Sequence, residues 1–202
     1  MTNKALIAMS GGVDSSVAAF LTKDMGYDAT GITLKLFDNE DIGEKREKTC
    51  CSLDDIDDAR RVCLKLGIPY YVYNFKDSFK ENVIDRFIRA YENGTTPNPC
   101  IDCNRFIKFE KLIRRAEELD FDCVVTGHYS TIEYDKGSDR YLLKKSVDST
   151  KDQSYVLYCL TQRQLAKTLL PLGTYTKEKV REIANEPVSY THLRAHETSL
   201  HL

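Results

Sequence analysis

The sequence is 202 residues long, 42% hydrophobic and 30% charged, with 29 basic against 31 acidic side chains and a net charge of −2. That composition excludes a disordered or fibrous chain, and it leaves any contact with nucleic acid to local clusters of basic residues rather than to the surface as a whole. Seven cysteines, no apolar run approaching about 18 residues and no recognisable leader predict a chain without membrane spans, working in a reducing cytoplasm with its thiols unpaired.

In chain order, Lys4 to Met9 is a short apolar run that predicts a buried strand. Ser10-Gly11-Gly12 follows, and Val13, Val17, Phe20, Leu21 and Met25 then recur at helical spacing until Gly26. Ala29 to Leu36 predicts a second strand, and Asp38 to Thr49 a polar loop. Ser52, with Asp55 three residues on, reads as an N-cap and acidic first turn for a helix that runs through Leu66 and stops at Gly67. Pro69 introduces a strand from Tyr70 to Tyr73. An amphipathic stretch from Asp77 to Tyr91 then gives way to a Gly/Thr/Pro/Asn-rich loop from Asn93 to Pro99, which cannot continue it.

Ile107, Leu112, Ala116 and Leu119 mark a further helix, with a strand from Cys123 to Thr126 that ends at Gly127-His128. Ile132 to Tyr134 and Tyr141 to Lys144 read as a hairpin, and helices are expected from about Ser154 to Leu169 and from Lys177 to Asn185. Parallel neighbours need helical crossovers, so the alternation predicts an α/β fold: a doubly wound parallel sheet with flanking helices, then a small hairpin and helical extension. The expected organisation is a nucleotide-binding catalytic domain over 1–130, the extension over 131–185, and an atypical tail over 186–202. That tail holds three of the four histidines and no apolar period, and it is expected to be disordered or foreign to the domain.

Chemistry concentrates first in Ser10-Gly11-Gly12-Val13-Asp14-Ser15-Ser16, set between a strand and the start of a helix. Free backbone N–H groups and the helix dipole favour an anion there, and two glycines let the backbone approach phosphate closely. No Gly-Lys-Ser/Thr ending is present, so the loop is not of the Walker A type. A Gly-rich turn with a serine cap is the plain structural alternative.

This loop resembles that of the N-type ATP pyrophosphatases, whose SGGxDS segment grips the pyrophosphate of ATP while an adenylate forms. Three further segments narrow the resemblance: Thr96-Pro97-Asn98-Pro99-Cys100-Ile101-Asp102-Cys103-Asn104, Val125-Thr126-Gly127-His128-Tyr129 and Lys151-Asp152-Gln153-Ser154-Tyr155. In order and spacing, from Lys4 to about Asn185, they are similar to the bacterial MnmA family of tRNA-specific 2-thiouridylases, which modify the wobble uridine.

The resemblance implies a Rossmann-like nucleotide-binding fold and an ATP site formed by Ala8, Met9, Ser10, Gly11, Gly12, Val13, Asp14, Ser15, Leu34 and Gly127. Leu34 would lie against adenine at a strand end, where ligands gather in parallel sheets. Asp14 is the candidate to help hold Mg2+ through phosphate or water, because a hard cation prefers oxygen. Asn98, Pro99 and Cys100 match positions that touch the target base, and His128, Lys151, Asp152 and Gln153 match positions that contact tRNA. Lys144, Lys145 and Lys151 form a modest basic patch suited to phosphate. The partners implied are tRNA and a sulfur-carrier protein fed by a cysteine desulfurase.

Cys103 is the catalytic nucleophile by resemblance, acting on the persulfide that supplies sulfur. Its place just before a helix expected near Asn104 would favour thiolate. Cys100-x-x-Cys103 with Cys50-Cys51 is also a zinc or iron–sulfur spacing, but adjacent cysteines do not easily face one ion, so no metal site of protein-only type is expected. Cys63, Cys123 and Cys159 read as core. The family's persulfide-bearing second cysteine and its β-rich C-terminal portion have no counterpart here, so adenylation with incomplete thiolation is expected. The alternatives are a non-catalytic RNA- or metal-binding fragment and an ATP pyrophosphatase that amidates a small molecule.

Overall fold

The structure, a computed structural model, describes residues 2–37 and 53–185. The expected polar loop from Asp38 to Thr49, the pair Cys50-Cys51, the Ser52 cap and the tail from Pro187 lie outside the described residues.

Among the described residues the main sheet has five strands: β1 (Lys4–Ala8), β2 (Asp28–Lys35), β3 (Tyr70–Asn74), β4 (Cys123–Val125) and β7 (Thr168–Leu169). They lie in the order β3-β2-β1-β4-β7, every pairing parallel. The helices α1 (Val13–Asp24) and α2 (Leu53–Leu66) make the first two crossovers, so the doubly wound α/β reading holds. β1 alternates across the sheet: Ala5 and Ile7 join the core built with Val17, Val62 and Val180, and Leu6 joins the core around Ile107, Phe109 and Leu157. Burial on both faces is what writes β1 and β2 as nearly unbroken apolar runs.

On the second face lie α6 (Leu112–Glu118) and a π-helical run, Cys103–Lys111, that continues the short helix α5 (Pro99–Asp102). The amphipathic stretch after β3 is also interrupted, with α3 (Lys76–Phe79), a π turn over Lys80–Ile84 and α4 (Asp85–Glu92) in succession. The hairpin forms as expected, β5 (Ser130–Asp135) against β6 (Arg140–Lys145), from Ser130 opposite Lys145 to Asp135 opposite Arg140.

The single helix expected from Ser154 to Leu169 is corrected. That segment is a 3-10 turn at Ser154–Val156, the short helix α7 (Gln162–Ala166) and then strand β7. Thr161 restarts the helix through a capping box: its hydroxyl accepts from the Gln164 N–H at 3.3 Å, and the Gln164 side chain accepts from the Thr161 N–H at 2.8 Å. Two residues later the chain pairs with β4. The last helix, α8 (Lys177–Asn185), packs its buried Val180, Ile183 and Ala184 into the core under α1. The sheet and the core beneath α1 thus both draw on residues after 130.

Candidate nucleotide site

The strand order reverses between β1 and β4, since β2 and β3 lie to one side and β7 to the other. Ligands of open parallel sheets bind in the crevice outside the strand ends at such a point. The loop Met9–Gly12 and the loop Thr126–Tyr129 leave the sheet there.

Serine hydroxyls close the first loop on itself. Ser15 Oγ accepts from the Ser10 N–H at 3.2 Å and donates to the Gly12 carbonyl at 2.9 Å. The helical ladder begins with the Ser16 N–H on the Gly12 carbonyl at 3.2 Å, so the amides of Val13, Asp14 and Ser15 have no partner within α1. Gly11 takes φ +77°, and a Cβ there would lie 2.6 Å from the Asp55 carbonyl oxygen. The loop therefore needs glycine twice over, for its backbone angle and for its contact with α2. The result is an N-terminal cradle of amides that fits an anion such as phosphate.

Gly127 brings the second loop onto the first. A Cβ on it would stand 2.9 Å from the Asp14 carbonyl carbon and 3.0 Å from the Ser15 nitrogen. Tyr129, buried two residues further on, donates its phenol to Asp14 Oδ1 at 2.6 Å. Lys177, at the start of α8, donates to both Asp14 oxygens at 3.0 and 2.8 Å. The Lys177 side chain is nearly enclosed, 9% exposed, whereas the Asp14 side chain is 28% exposed.

Leu34 divides its roles. Its side chain is buried with Leu6, Ile32 and Phe109. The Gly31 N–H bonds Pro69 on the β3 side, and the Ile32 carbonyl accepts from Met9 at 2.7 Å on the β1 side. By alternation the Leu34 amide and carbonyl face the β1 side, past the last register pair Ala8 and Ile32.

The segment after the hairpin joins the motifs. The Gln153 side chain accepts from the Tyr129 N–H at 3.0 Å, and the Gln153 N–H returns a bond to the Tyr129 carbonyl at 2.8 Å. Asp152 turns inward, accepting from the Ser146 N–H at 2.9 Å and the Ser154 hydroxyl at 2.7 Å, while Lys151 is exposed. Three residues past Gln153, the Val156 carbonyl accepts from Asn104 Nδ2 at 3.3 Å, beside Cys103. Asn104 is buried, and its Oδ1 finds no partner among the described residues.

His128 is buried, its Nδ1 2.8 Å from the Thr126 hydroxyl and its ring 6.0 Å from that of Phe109. Burial, with Lys108 adding to it, holds the imidazole well below its ordinary pKa, so the ring is neutral.

The cysteine loop is built differently from expectation. Helix formation begins at Pro99, not near Asn104: Asn98 caps it by accepting from the Cys100 N–H at 3.0 Å, and Pro99 fills the first helical position. Cys100 stands in that first turn, exposed, and Cys103 follows one turn on, half-buried, where the π-helical run starts. The other thiols differ. Burial pushes Cys63 up to about 12 and, with Asp122 adding, Cys123 up to about 11; it raises Cys159 as well. None of the three is poised to be a thiolate.

Arg86 and Arg105 each place a guanidinium 5.0 Å from the Phe106 ring centroid, flanking the cysteine loop with positive charge. Sequence reasoning had not singled out these arginines, nor Lys177, the Tyr129 phenol or Asn104. The Asn-Pro pair carries the signal of a helix start at 98–99, although the reading placed that start near Asn104, and a contact between residues 14 and 177 leaves no mark in local spacing.

The fold is an α/β unit of the HUP class, with open amides at the point where its strand order reverses. The chain matches the family described as the tRNA methyl transferase HUP domain over residues 3–197, and it belongs to that family. It is 56% identical over 186 residues to tRNA-specific 2-thiouridylase MnmA of Clostridium beijerinckii, and 57% identical over 186 residues to the MnmA of Clostridioides difficile. Each match covers 92% of this chain and 51% of the relative, so the chain spans about half the length of the curated relatives it matches. The MnmA resemblance read from four motifs is borne out. Among solved structures it is similar in fold to a predicted subunit of tRNA methyltransferase from Methanocaldococcus jannaschii (TM-score 0.51, 14% identity, 92% of this chain and 75% of that one). A glutamine-dependent NAD+ synthetase from Acinetobacter baumannii is also similar (TM-score 0.54, 14% identity, 90% of this chain and 28% of that one).

Proposed function

We propose that the chain is the ATP-binding, uridine-activating part of a tRNA 2-thiouridylase. The observation that carries this reading is the amide cradle of Val13, Asp14 and Ser15 at the β1/β4 reversal, in a chain 56% identical to an MnmA protein.

In the proposed reaction the O2 of the wobble uridine attacks the α-phosphorus of ATP. The O–P bond forms as the bond to the leaving pyrophosphate breaks. Sulfur from a persulfide then adds at C2, and AMP departs with the original oxygen. Activation is needed because an amide-like carbonyl oxygen leaves poorly, whereas a phosphorylated one leaves well.

The protein's part is electrostatic and positional. Loop residues Ala8 to Ser15 hold the phosphates, and the Leu34 backbone meets the adenine edge. Gly127 keeps the second loop in contact with α1. Mg2+, when bound, shares the phosphate charge, and the oxygens on hand for it are those of the phosphates and the part-exposed Asp14 carboxylate.

Asn98, Pro99 and Cys100 receive the flipped base. The Cys103 thiolate attacks the sulfur that anchors the persulfide to its carrier, hydrosulfide leaves as the nucleophile for C2, and the resulting Cys103–carrier disulfide is reduced by a cellular dithiol. Lys151, Gln153 and their neighbours contact the tRNA. In this reading the buried His128 and the half-buried, inward-bonded Asp152 shape the RNA surface instead of presenting side chains to it. The partners are tRNA and a persulfide-bearing carrier protein. The setting is a reducing cytoplasm, in keeping with the exposed Cys100 thiol. No helix among the described residues is long and apolar enough to cross a membrane.

The test is pyrophosphate release from ATP with and without unmodified tRNA, wild type against Asp14→Ala. Release that requires tRNA and is lost in the variant supports the reading. Ammonia-dependent AMP formation without tRNA would replace it with amidation of a small molecule.

A further inference from the structure

We infer that Tyr155 and Tyr158 form a stacking platform for the two bases that flank the target uridine in the RNA. The inference deepens the tRNA reading above and rests on it. A base drawn out of its stack leaves its neighbours unstacked. Aromatic side chains replace that contact without reading sequence, because every base has a π-face.

The two tyrosines are the most exposed aromatic residues among those described, at 60% and 69%. The exposed rings of Tyr91 and Tyr134 have partners in Phe87 and Tyr141. Among the described residues, neither the Tyr155 nor the Tyr158 side chain has a ring contact or a hydrogen bond.

The turn that carries them is fixed from within. Val156, Leu157 and Leu160 are buried in the core with Ile107 and Phe109. Backbone bonds at a spacing of three run from the Val156 N–H to Gln153 at 3.2 Å, from Leu157 to Ser154 at 3.1 Å and from Leu160 to Leu157 at 3.0 Å. Side chains three residues apart stand over one another at that spacing, so the two rings share one side of the turn. Each ring has only two torsions to immobilise, which keeps the entropic cost of stacking low.

The turn also stands beside the cysteine loop. The Asn104 amide holds the Val156 carbonyl at 3.3 Å, one residue from Cys103. Cys159, next to Tyr158, packs on the same core as Ile101, Cys103 and Phe106. Burial dominates the raised pKa of the Cys159 thiol, and the charges of Arg105 and Asp102, on either side of Cys103 in the chain, also act on it. Arg105 and Lys151, both exposed, supply positive charge for the phosphates that link the stacked bases.

The experiment measures binding of unmodified tRNA to the 202-residue chain, wild type against the pairs Tyr155→Ala/Tyr158→Ala and Tyr155→Phe/Tyr158→Phe. The second probe is the same tRNA with abasic sites on both sides of the target uridine. Both side chains are exposed, so the variants should keep the fold, and thermal unfolding checks this. We expect the alanine pair to weaken intact tRNA about tenfold or more and the phenylalanine pair less than about threefold, with the dependence of affinity on salt unchanged. On the abasic tRNA, wild type and the alanine pair should bind alike. Equal affinity of wild type and the alanine pair for intact tRNA, an equal alanine loss on both RNAs, or a phenylalanine loss as large as the alanine loss would each overturn the inference. If wild type binds no tRNA, the tRNA reading fails and takes this inference with it.

Discussion

The Tyr129 phenol reaches Asp14 Oδ1 at 2.6 Å while the backbone of the same tyrosine is held on both sides by Gln153. A segment matched to RNA contact is thus one residue removed from the carboxylate beside the phosphate cradle.

Loss of that phenol should therefore be felt in stability and at the nucleotide. We predict that Tyr129→Phe costs about 1.5–3 kcal/mol, the range for a hydrogen bond to a charged group. Gln153→Ala should weaken ATP binding several-fold, although Gln153 is assigned to RNA and not to nucleotide. Denaturant unfolding and ATP titration check the pair; unchanged ATP affinity in Gln153→Ala would show that the two loops act independently.

Close approach at Gly127 gives a second prediction. A methyl there meets backbone and not a flexible side-chain tip, so Gly127→Ala should destabilise by about 1–3 kcal/mol and displace the start of α1. Gly137→Ala, whose Cβ would meet only the Asp135 carboxylate at 3.6 Å, should change stability by less than about 0.5 kcal/mol. Equal unfolding midpoints for the two variants would contradict the packing described.

His128 makes stability depend on pH. Its folded pKa is depressed, so the unfolded chain takes up a proton that the folded chain refuses once pH falls below about 6.5. Stability should hold above that value and decline between about pH 6.5 and 5. His128→Asn should flatten the decline. An identical slope in the variant, measured by urea unfolding at pH 7.5 and 5.5, would assign the effect to other groups.

Capping at Thr161 offers a further check. Thr161→Ala should cost about 1 kcal/mol, as an N-cap serine or threonine generally does. Circular dichroism during thermal unfolding reads the loss, and an unshifted midpoint would mean that β7 and not the cap sets this turn.

That turn shows where the sequence was legible. β1, β2 and β4 are buried on both faces, so their apolar runs announce them, and the glycines at 26 and 67 stop α1 and α2 where the spacing says. Strand β7 is two residues long, and no period can be read from two residues. Leu160, Leu165 and Leu169 imitate one helix, although Thr161 and Gln164 carry the capping pattern that breaks it. At the site, the glycine-rich loop was readable because its chemistry is contiguous. Lys177 was not, since on its own helix it is an ordinary first-turn lysine, and only the packing of α8 under α1 brings it to Asp14.

Because β7 and α8 complete a sheet and a core begun by the first twenty-five residues, the ribosome must deliver about 185 residues before the opening helix is covered. Until then the free edge of β4 and the apolar side of α1 stand open to other nascent chains. The phosphate loop gains its Lys177 contact, and the core its last apolar residues, only when residues 177–184 have been made.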